Sequence, residues 1–368
     1  MHVLAISRWA VVAAVMAVVA VAVDAAAQWG GGQSRWRNIL DQPDDFYGTP
    51  ESVRVADNVL LYQHDNGGWP KNVDMARRLS ESERDEIRAK RNQYETLIDN
   101  GATHTQIRFL ALAHEATGEA RFADAAQRGI EYLLNAQYAN GGWPMIYPIR
   151  HGYYQHITFN DGAMIGAMQV LRDASTGKPP YEFVDSDTRQ RARRATEKGL
   201  DVTLKCQVVV DRRRTAWCAQ HDEVDFRPRA ARTYELPSLS GYESVGIVEY
   251  LMAIDDPSPE VRRAVAGAVA WFEGVKIEGQ AVRWEREPGS RRPSDRVVVA
   301  DPSAEPIWAR FYEIGTNRPM FVGRDGIVHD HLADIERERR LGYAWLGDWP
   351  RDLLAKKYPA WRAKWGGE

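Results

Sequence analysis

Residues 62–70 read YQHDNGGWP, and residues 136–144 read AQYANGGWP. The shared Asn-Gly-Gly-Trp-Pro pentapeptide, Asn66–Pro70 and Asn140–Pro144, marks an internal repeat. A degenerate third copy begins at Gln207 and reaches Trp217, with a longer intervening loop. Gln63, Gln137 and Gln207 lead the three copies at a nearly constant interval. One period is long enough for two helices and their connections.

The segments between the copies carry helical periodicity. Residues 103–115 place Ile107, Leu110, Ala111 and His114 on one face, and residues 121–137 do the same with Phe122, Ala126, Ile130, Leu133 and Leu134. Met164, Met168 and Leu171 follow this spacing, as do Val245, Val248 and Met252, and Val261, Val265, Ala268 and Phe272. Thr117-Gly118, Thr176-Gly177 and Asp256-Pro257 punctuate between them. At least six helices in hairpin pairs are predicted, preceded by one around 51–62. Two-residue alternation is scarce, and Arg296-Val297-Val298-Val299 is the best short strand. Three helix pairs joined by long Gly/Trp/Pro loops suggest an all-α fold, an α/α toroid with its loops gathered at one rim. The alternative is an irregular helical domain. Residues 275–300 read as a solvated loop, residues 334–340 as an exposed charged helix face, and the aromatic-rich tail, 341–365, as docked back onto the body.

The chain has 368 residues, 44% hydrophobic and 27% charged, ordinary values for a globular protein. Its net charge of -3 argues against a dedicated nucleic-acid binder. Thirteen tryptophans are a weak hint of sugar handling. The N-terminus reads as a signal peptide: Arg8 precedes an apolar run over residues 9–23, and Ala25-Ala26-Ala27 fits a cleavage site. That run is short for a membrane span. The expectation is a chain exported to the periplasm or beyond, with residues 28–368 forming one catalytic domain and no membrane association after signal removal. The two cysteines, Cys206 and Cys218, are either a disulfide or two buried thiols. Nothing suggests oligomerisation.

Each repeat shows a polar cluster before an apolar helix: Asp99-Asn100-Gly101-Ala102-Thr103, Thr158-Phe159-Asn160-Asp161-Gly162, and Glu235 to Gly241. Asn or Asp before a helix is usually an N-cap. Here, however, an adjacent Asn/Asp pair followed by Gly recurs in successive repeats, and a toroid would bring both to one rim. Two carboxylates with amide oxygens suit Ca²⁺, and equally an acid/base pair for glycoside hydrolysis; spacing alone does not choose. Arg310, Arg318 and Arg324 fall beside aromatics in a stretch suited to carboxylate recognition, or else pair with Glu313 and Asp325. No Gly-x-Ser-x-Gly, Gly-x-Gly-x-x-Gly, phosphate-loop or His-Glu-x-x-His motif is present.

Taken together, Asn66 to Asn72, Ile98 to Gln106, Thr158 to Met164, Trp217 to Asp222, Arg232 to Ser244 and Phe311 to Gly326 resemble the pectate lyases of polysaccharide lyase family 10. The resemblance implies a toroid of three α/α hairpins, (α/α)3, and Ca²⁺-assisted β-elimination on polygalacturonate that leaves 4,5-unsaturated oligogalacturonides. It places the base that removes the C5 proton on Arg232, the Ca²⁺ ligands on Asp99, Asn100 and Asp161, and a substrate carboxylate on Arg318. Lys71, Arg310 and Arg324 are added as substrate-binding residues from charge and location. His104 stands where a small hydroxyl residue is expected. Two alternatives compete: a hydrolase on a related toroid with Asp99 and Asp161 as acid and base, and a non-catalytic polyuronate-binding protein.

Overall fold

The computed structural model describes residues 36–93, 95–289 and 293–366; the signal-peptide reading of 1–27 lies outside them. Eight helices carry the body: α1 (Pro50–Tyr62), α2 (Glu81–Arg88), α3 (His104–Thr117), α4 (Ala120–Ala136), α5 (Ala163–Thr176), α6 (Ser186–Cys206), α7 (Glu243–Met252) and α8 (Pro259–Gly274). All the helices predicted from periodicity are present. They pair as α3 with α4, α5 with α6 and α7 with α8. The pairs stack in chain order, α3 on α5 and α5 on α7 in one row, α4 on α6 and α6 on α8 in the other.

The repeated Gln and Trp explain why the pairs stack this way. Gln63 Nε2 donates to the carbonyls of Gly67 and Ala125, both at 2.9 Å. Gln137 does the same to Gly141 (2.9 Å) and Ala195 (2.8 Å), and Gln207 to Thr215 (2.9 Å) and Ala264 (2.8 Å). Each glutamine therefore closes its own loop and fastens it to the middle of a later helix. Trp69, Trp143 and Trp217 are wholly buried, and their indole N–H groups donate back to Val59, Leu133 and Thr203. The third copy, with its longer loop, repeats the bonding of the first two. The two Gly-Gly pairs are sterically required: a Cβ on Gly67 would lie 2.3 Å from the Arg128 carbonyl oxygen, and one on Gly142 2.5 Å from Ile157.

Short two-residue ladders tie the rim loops together. Ile157–Thr158 pairs with Gln220–His221, and Leu239–Ser240 with Phe311–Tyr312. Two readings need correction. Residues 275–300 are not a plain solvated loop: β1 (Gln280–Glu285) and β2 (Asp295–Ala300) form an antiparallel ladder, with Val298 opposite Val282. The valine run belongs to this hairpin; its partner strand, flanked by Arg and Glu, lacks a readable alternation. Residues 334–340 are not uniformly exposed: Arg339, in α9 (Arg337–Gly342), is buried with its guanidinium 3.7 Å from the Tyr234 ring centroid. The tail docks as expected through buried Trp345, Leu353 and Trp361. Cys206 and Cys218 are buried, unbridged thiols.

Candidate active site

The two Asn/Asp/Gly clusters form the same turn. Asp99–Gly101 and Asn160–Gly162 are single tight turns just before α3 and α5. The middle residue of each is left-handed, Asn100 at φ 52°, ψ 37° and Asp161 at φ 47°, ψ 33°, and the glycine after it has φ 76° or 72°. Asn and Asp tolerate this conformation better than other residues with a Cβ. Neither Asp99 nor Asp161 is an N-cap: the residues that start α3 and α5 are Thr103 and Gly162, without side-chain caps. The carboxylates are thus spared for another purpose.

They face each other across one nitrogen. Asn160 Nδ2 donates to Asp99 Oδ1 at 3.0 Å and to Asp161 Oδ2 at 2.9 Å. Asn160 is fixed by its backbone N–H, which donates to the Ala219 carbonyl at 3.0 Å. Asp99 is 3% exposed, and its Oδ2 accepts from Lys71 Nζ at 2.5 Å. Asp161 Oδ1 accepts from Arg310 Nη2 at 2.9 Å. The same Nη2 pairs with Glu243, whose other oxygen accepts from Ser240. Arg310 is buried between the rings of Tyr242 and Tyr343, at 4.6 and 4.7 Å. Burial opposes its charge, but Glu243, Tyr343 and Asp161 outweigh it, and its pKa is raised.

Arg232 stands beside this cluster, linked through Tyr343. Its Nε and Nη2 fork onto Glu235 at 2.8 and 2.5 Å. Tyr343 Oη donates to the same Glu235 carboxylate at 2.9 Å, while its ring covers Arg310. The Glu235 fork raises the Arg232 pKa, against a smaller opposing effect of burial. Burial works against the charged form of Glu235, but Arg232 outweighs it and the Glu235 pKa is lowered. Arg232 also lies over the Tyr234 ring at 4.9 Å, and about half of its side chain stays exposed.

The structure therefore brings together Lys71, Asp99, Asp161 and Arg310. Asn100 is adjacent but exposed, donating to Asn72 Oδ1 at 3.1 Å and not to the carboxylates. Arg324 pairs with Glu338 and lies 5.2 Å from the Tyr234 ring, on the Arg232 side of the site. Arg318 pairs with Glu313 and Asp330 on the surface, the ion-paired alternative drawn for this stretch; Asp325 pairs with His329 instead. Sequence reading places Asn160 and Glu235 in the polar clusters but gives neither a role at the site, and it does not name Glu243 or Tyr343. The recurring Asn/Asp-Gly turn was the available signal for Asn160. Glu243 and Tyr343 reach the site only through tertiary packing. His104 is packed against Gly166 of α5, and burial lowers its pKa to about 3.

Among the described residues no group of three or more His, Cys, Asp or Glu is arranged to hold a metal ion. The donor set here is instead the oxygens of two facing carboxylates, with the Asn160 amide N–H between them and its oxygen turned to Arg310 Nη2 at 3.4 Å. These are hard oxygen donors, and they fit Ca²⁺ chemically.

The family model described as "Pectic acid lyase" matches residues 63–354. No curated protein matches the chain. Among solved structures, a family 10 polysaccharide lyase from Cellvibrio cellulosa is 34% identical, with a TM-score of 0.74, covering 88% of this chain and 95% of that one. A mutant of the Cellvibrio cellulosa family 10 enzyme, in complex with trigalacturonic acid, is 34% identical with a TM-score of 0.73, covering 86% and 93%.

Proposed function

Because the chain belongs to the pectic acid lyase family and is a pectate lyase, we propose that it cleaves polygalacturonate by Ca²⁺-assisted β-elimination with Arg232 as the base. The observation that carries this reading is the pair of carboxylates, Asp99 and Asp161, facing each other across Asn160 Nδ2 within reach of Arg310. Each carboxylate already has a cationic partner, an arrangement suited to holding positive charge and not to donating a proton. That favours the lyase over a hydrolase using the same two residues. The stacking of three helix pairs supports the (α/α)3 toroid. The apolar leader over residues 9–23 supports export, to the periplasm or beyond.

In this mechanism Asp99 and Asp161, with Asn100 next to Asp99, are the residues that would hold Ca²⁺. The ion supplies charge neutralisation at the uronate carboxylate. Arg310, Lys71, Arg318 and Arg324 are the side chains proposed to bind substrate carboxylates. The C5 hydrogen is α to a carboxylate and only weakly acidic. Neutral Arg232 takes it as a proton, the C5–H electrons form the C4=C5 double bond, and the O4 glycosidic bond breaks. The leaving oxygen is protonated from solvent, and the guanidinium returns its proton to bulk. Glu235 stabilises the protonated form of Arg232, so the reactive form is a minority whose population rises tenfold with each pH unit.

The test follows the ultraviolet absorbance of the C4=C5 product during incubation with polygalacturonate at alkaline pH. The expected result is a signal abolished by excess chelator and reduced about 10²–10⁴-fold in Arg232→Ala, the range for loss of a general base. New reducing ends without ultraviolet absorbance would move the case to hydrolysis. An acidic optimum would remove Arg232 from the role of base.

A further inference from the structure

We propose that Lys71 is an exchangeable counter-cation: it neutralises Asp99 when no divalent cation is bound, and it leaves Asp99 for a substrate carboxylate when one binds. This rests on the reading of Asp99 and Asp161 as Ca²⁺-holding carboxylates.

The repeat isolates Lys71 as a residue the scaffold does not need. Trp69-Pro70-Lys71 corresponds to Trp143-Pro144-Met145, and Met145 is buried among apolar side chains. The third copy has Ala219 at this offset from Trp217. Only the first copy turns an ammonium towards the rim. Its neighbour Asn72 is left-handed, at φ 61°, and its Oδ1 accepts from Asn100. Lys71 is thereby rooted beside the Asp99–Gly101 turn.

The two cations of the cluster are held very differently. Arg310 is 6% exposed at its side chain, stacked between two tyrosines and bonded to Asn160, Asp161 and Glu243. It cannot leave without dismantling the site. Lys71 is 36% exposed at its side chain and has one ionic partner, Asp99. Its long flexible stem carries a point charge that water solvates well. Charge balance completes the argument. Asp99, Asp161 and Glu243 carry three negative charges, and Arg310 offsets one. With Lys71 in place one negative charge remains; with Lys71 displaced two remain, the complement of a divalent cation. Lys71 and Ca²⁺ therefore compete for Asp99, while Ca²⁺ and an oligogalacturonate reinforce each other through the released ammonium. Linkage makes this coupling reciprocal.

The test is calorimetric titration of the protein with CaCl₂, and separately with trigalacturonate, for wild type, Lys71→Met and Lys71→Arg. The expected result is Ca²⁺ binding about tenfold tighter in Lys71→Met and no tighter in Lys71→Arg. Trigalacturonate binding should weaken in Lys71→Met when Ca²⁺ is present and stay close to wild type in its absence. A single cooperative thermal melt for Lys71→Met, whose deficit from the unpaired Asp99 is recovered by saturating CaCl₂, excludes misfolding as the cause. Equal or weaker Ca²⁺ binding by a folded Lys71→Met overturns the exchange. If wild type takes up no Ca²⁺ with or without trigalacturonate, the assignment of Asp99 and Asp161 falls first, and the exchange falls with it.

Discussion

Replacing Arg310 by Met removes the fixed cation of the site and nearly preserves its volume. The cost follows from what is left behind. The Glu243 side chain is 0% exposed and that of Asp161 30% exposed. Without Arg310, Glu243 retains only the Ser240 hydroxyl and the Asp161 amide, the latter at 3.5 Å. Breaking a buried ion pair from one side costs about 3–5 kcal/mol, because the remaining charge stays out of water. The methionine recovers some contact with the Tyr242 and Tyr343 rings, which holds the loss to roughly the lower half of that range. For a chain of this size about 1 kcal/mol corresponds to roughly 2 °C, so Arg310→Met should melt on the order of 6–8 °C below wild type. The double variant Arg310→Met/Glu243→Gln removes the stranded buried charge and should recover about half of the deficit, leaving only the partly exposed Asp161 without a cation. Thermal melts by circular dichroism at neutral pH and constant salt read both effects. A melting temperature within about 1 °C of wild type for Arg310→Met, or simple additivity in the double variant, would refute the reasoning.

Two further predictions concern the scaffold that holds the rim. His221 is wholly buried, with Nε2 accepting from the Cys218 N–H at 3.1 Å and Nδ1 donating to the Phe226 carbonyl at 2.8 Å. Burial lowers its pKa from 6.5 to about 4, so the unfolded chain takes up a proton first. Its contribution is complete above pH 6.5 and declines as pH falls towards about 4; melts should show this decline, and His221→Gln should flatten it. Gly129 lies in α4, and a Cβ there would meet Ile107 at 2.5 Å and Trp69 at 2.8 Å. Gly129→Ala should therefore destabilise by about 1–3 kcal/mol despite better helix propensity. Gly246 in α7 has open space around it, and Gly246→Ala should stabilise by up to about 1 kcal/mol. Equal melting shifts for the two variants would contradict the packing account of the repeat.

Most of the helical body is legible in the sequence because its determinants are local or repeated. The apolar stripes of α3, α4, α5, α7 and α8 lie within single segments, and the Gln and Trp bonds recur with each copy, whereas α6 buries mostly small residues and shows no such stripe. The unread parts depend on partners distant in sequence. The Arg339 guanidinium is buried because Tyr234 and Trp345 close around it, and nothing in the run of charges from Asp334 to Arg340 encodes that. The β1–β2 hairpin is similar: its strands show no clean two-residue alternation because Arg296 is buried while Trp284 opposite it is largely exposed.

The site was half legible for a more specific reason. The two rim turns have the same backbone but opposite order, Asp-Asn-Gly at 99–101 and Asn-Asp-Gly at 160–162. In the turn frame, Asn160 is therefore the counterpart of Asp99, and Asp161 that of Asn100. A residue-type reading pairs the two aspartates, whereas the fold pairs an aspartate with an asparagine at each position. Inverting the order has a physical consequence. If both turns read Asp-Asn-Gly, position 160 would carry the carboxylate and position 161 the amide, and the two acids would face each other without the Asn160 N–H between them. The exchange puts an N–H donor between the two acids and holds them close without direct contact. Arg310 then neutralises one side permanently and Lys71 the other reversibly. At equal charge, a symmetric pair of turns would set the two carboxylates against each other with no donor between them, whereas the asymmetric pair places the Asn160 N–H between them.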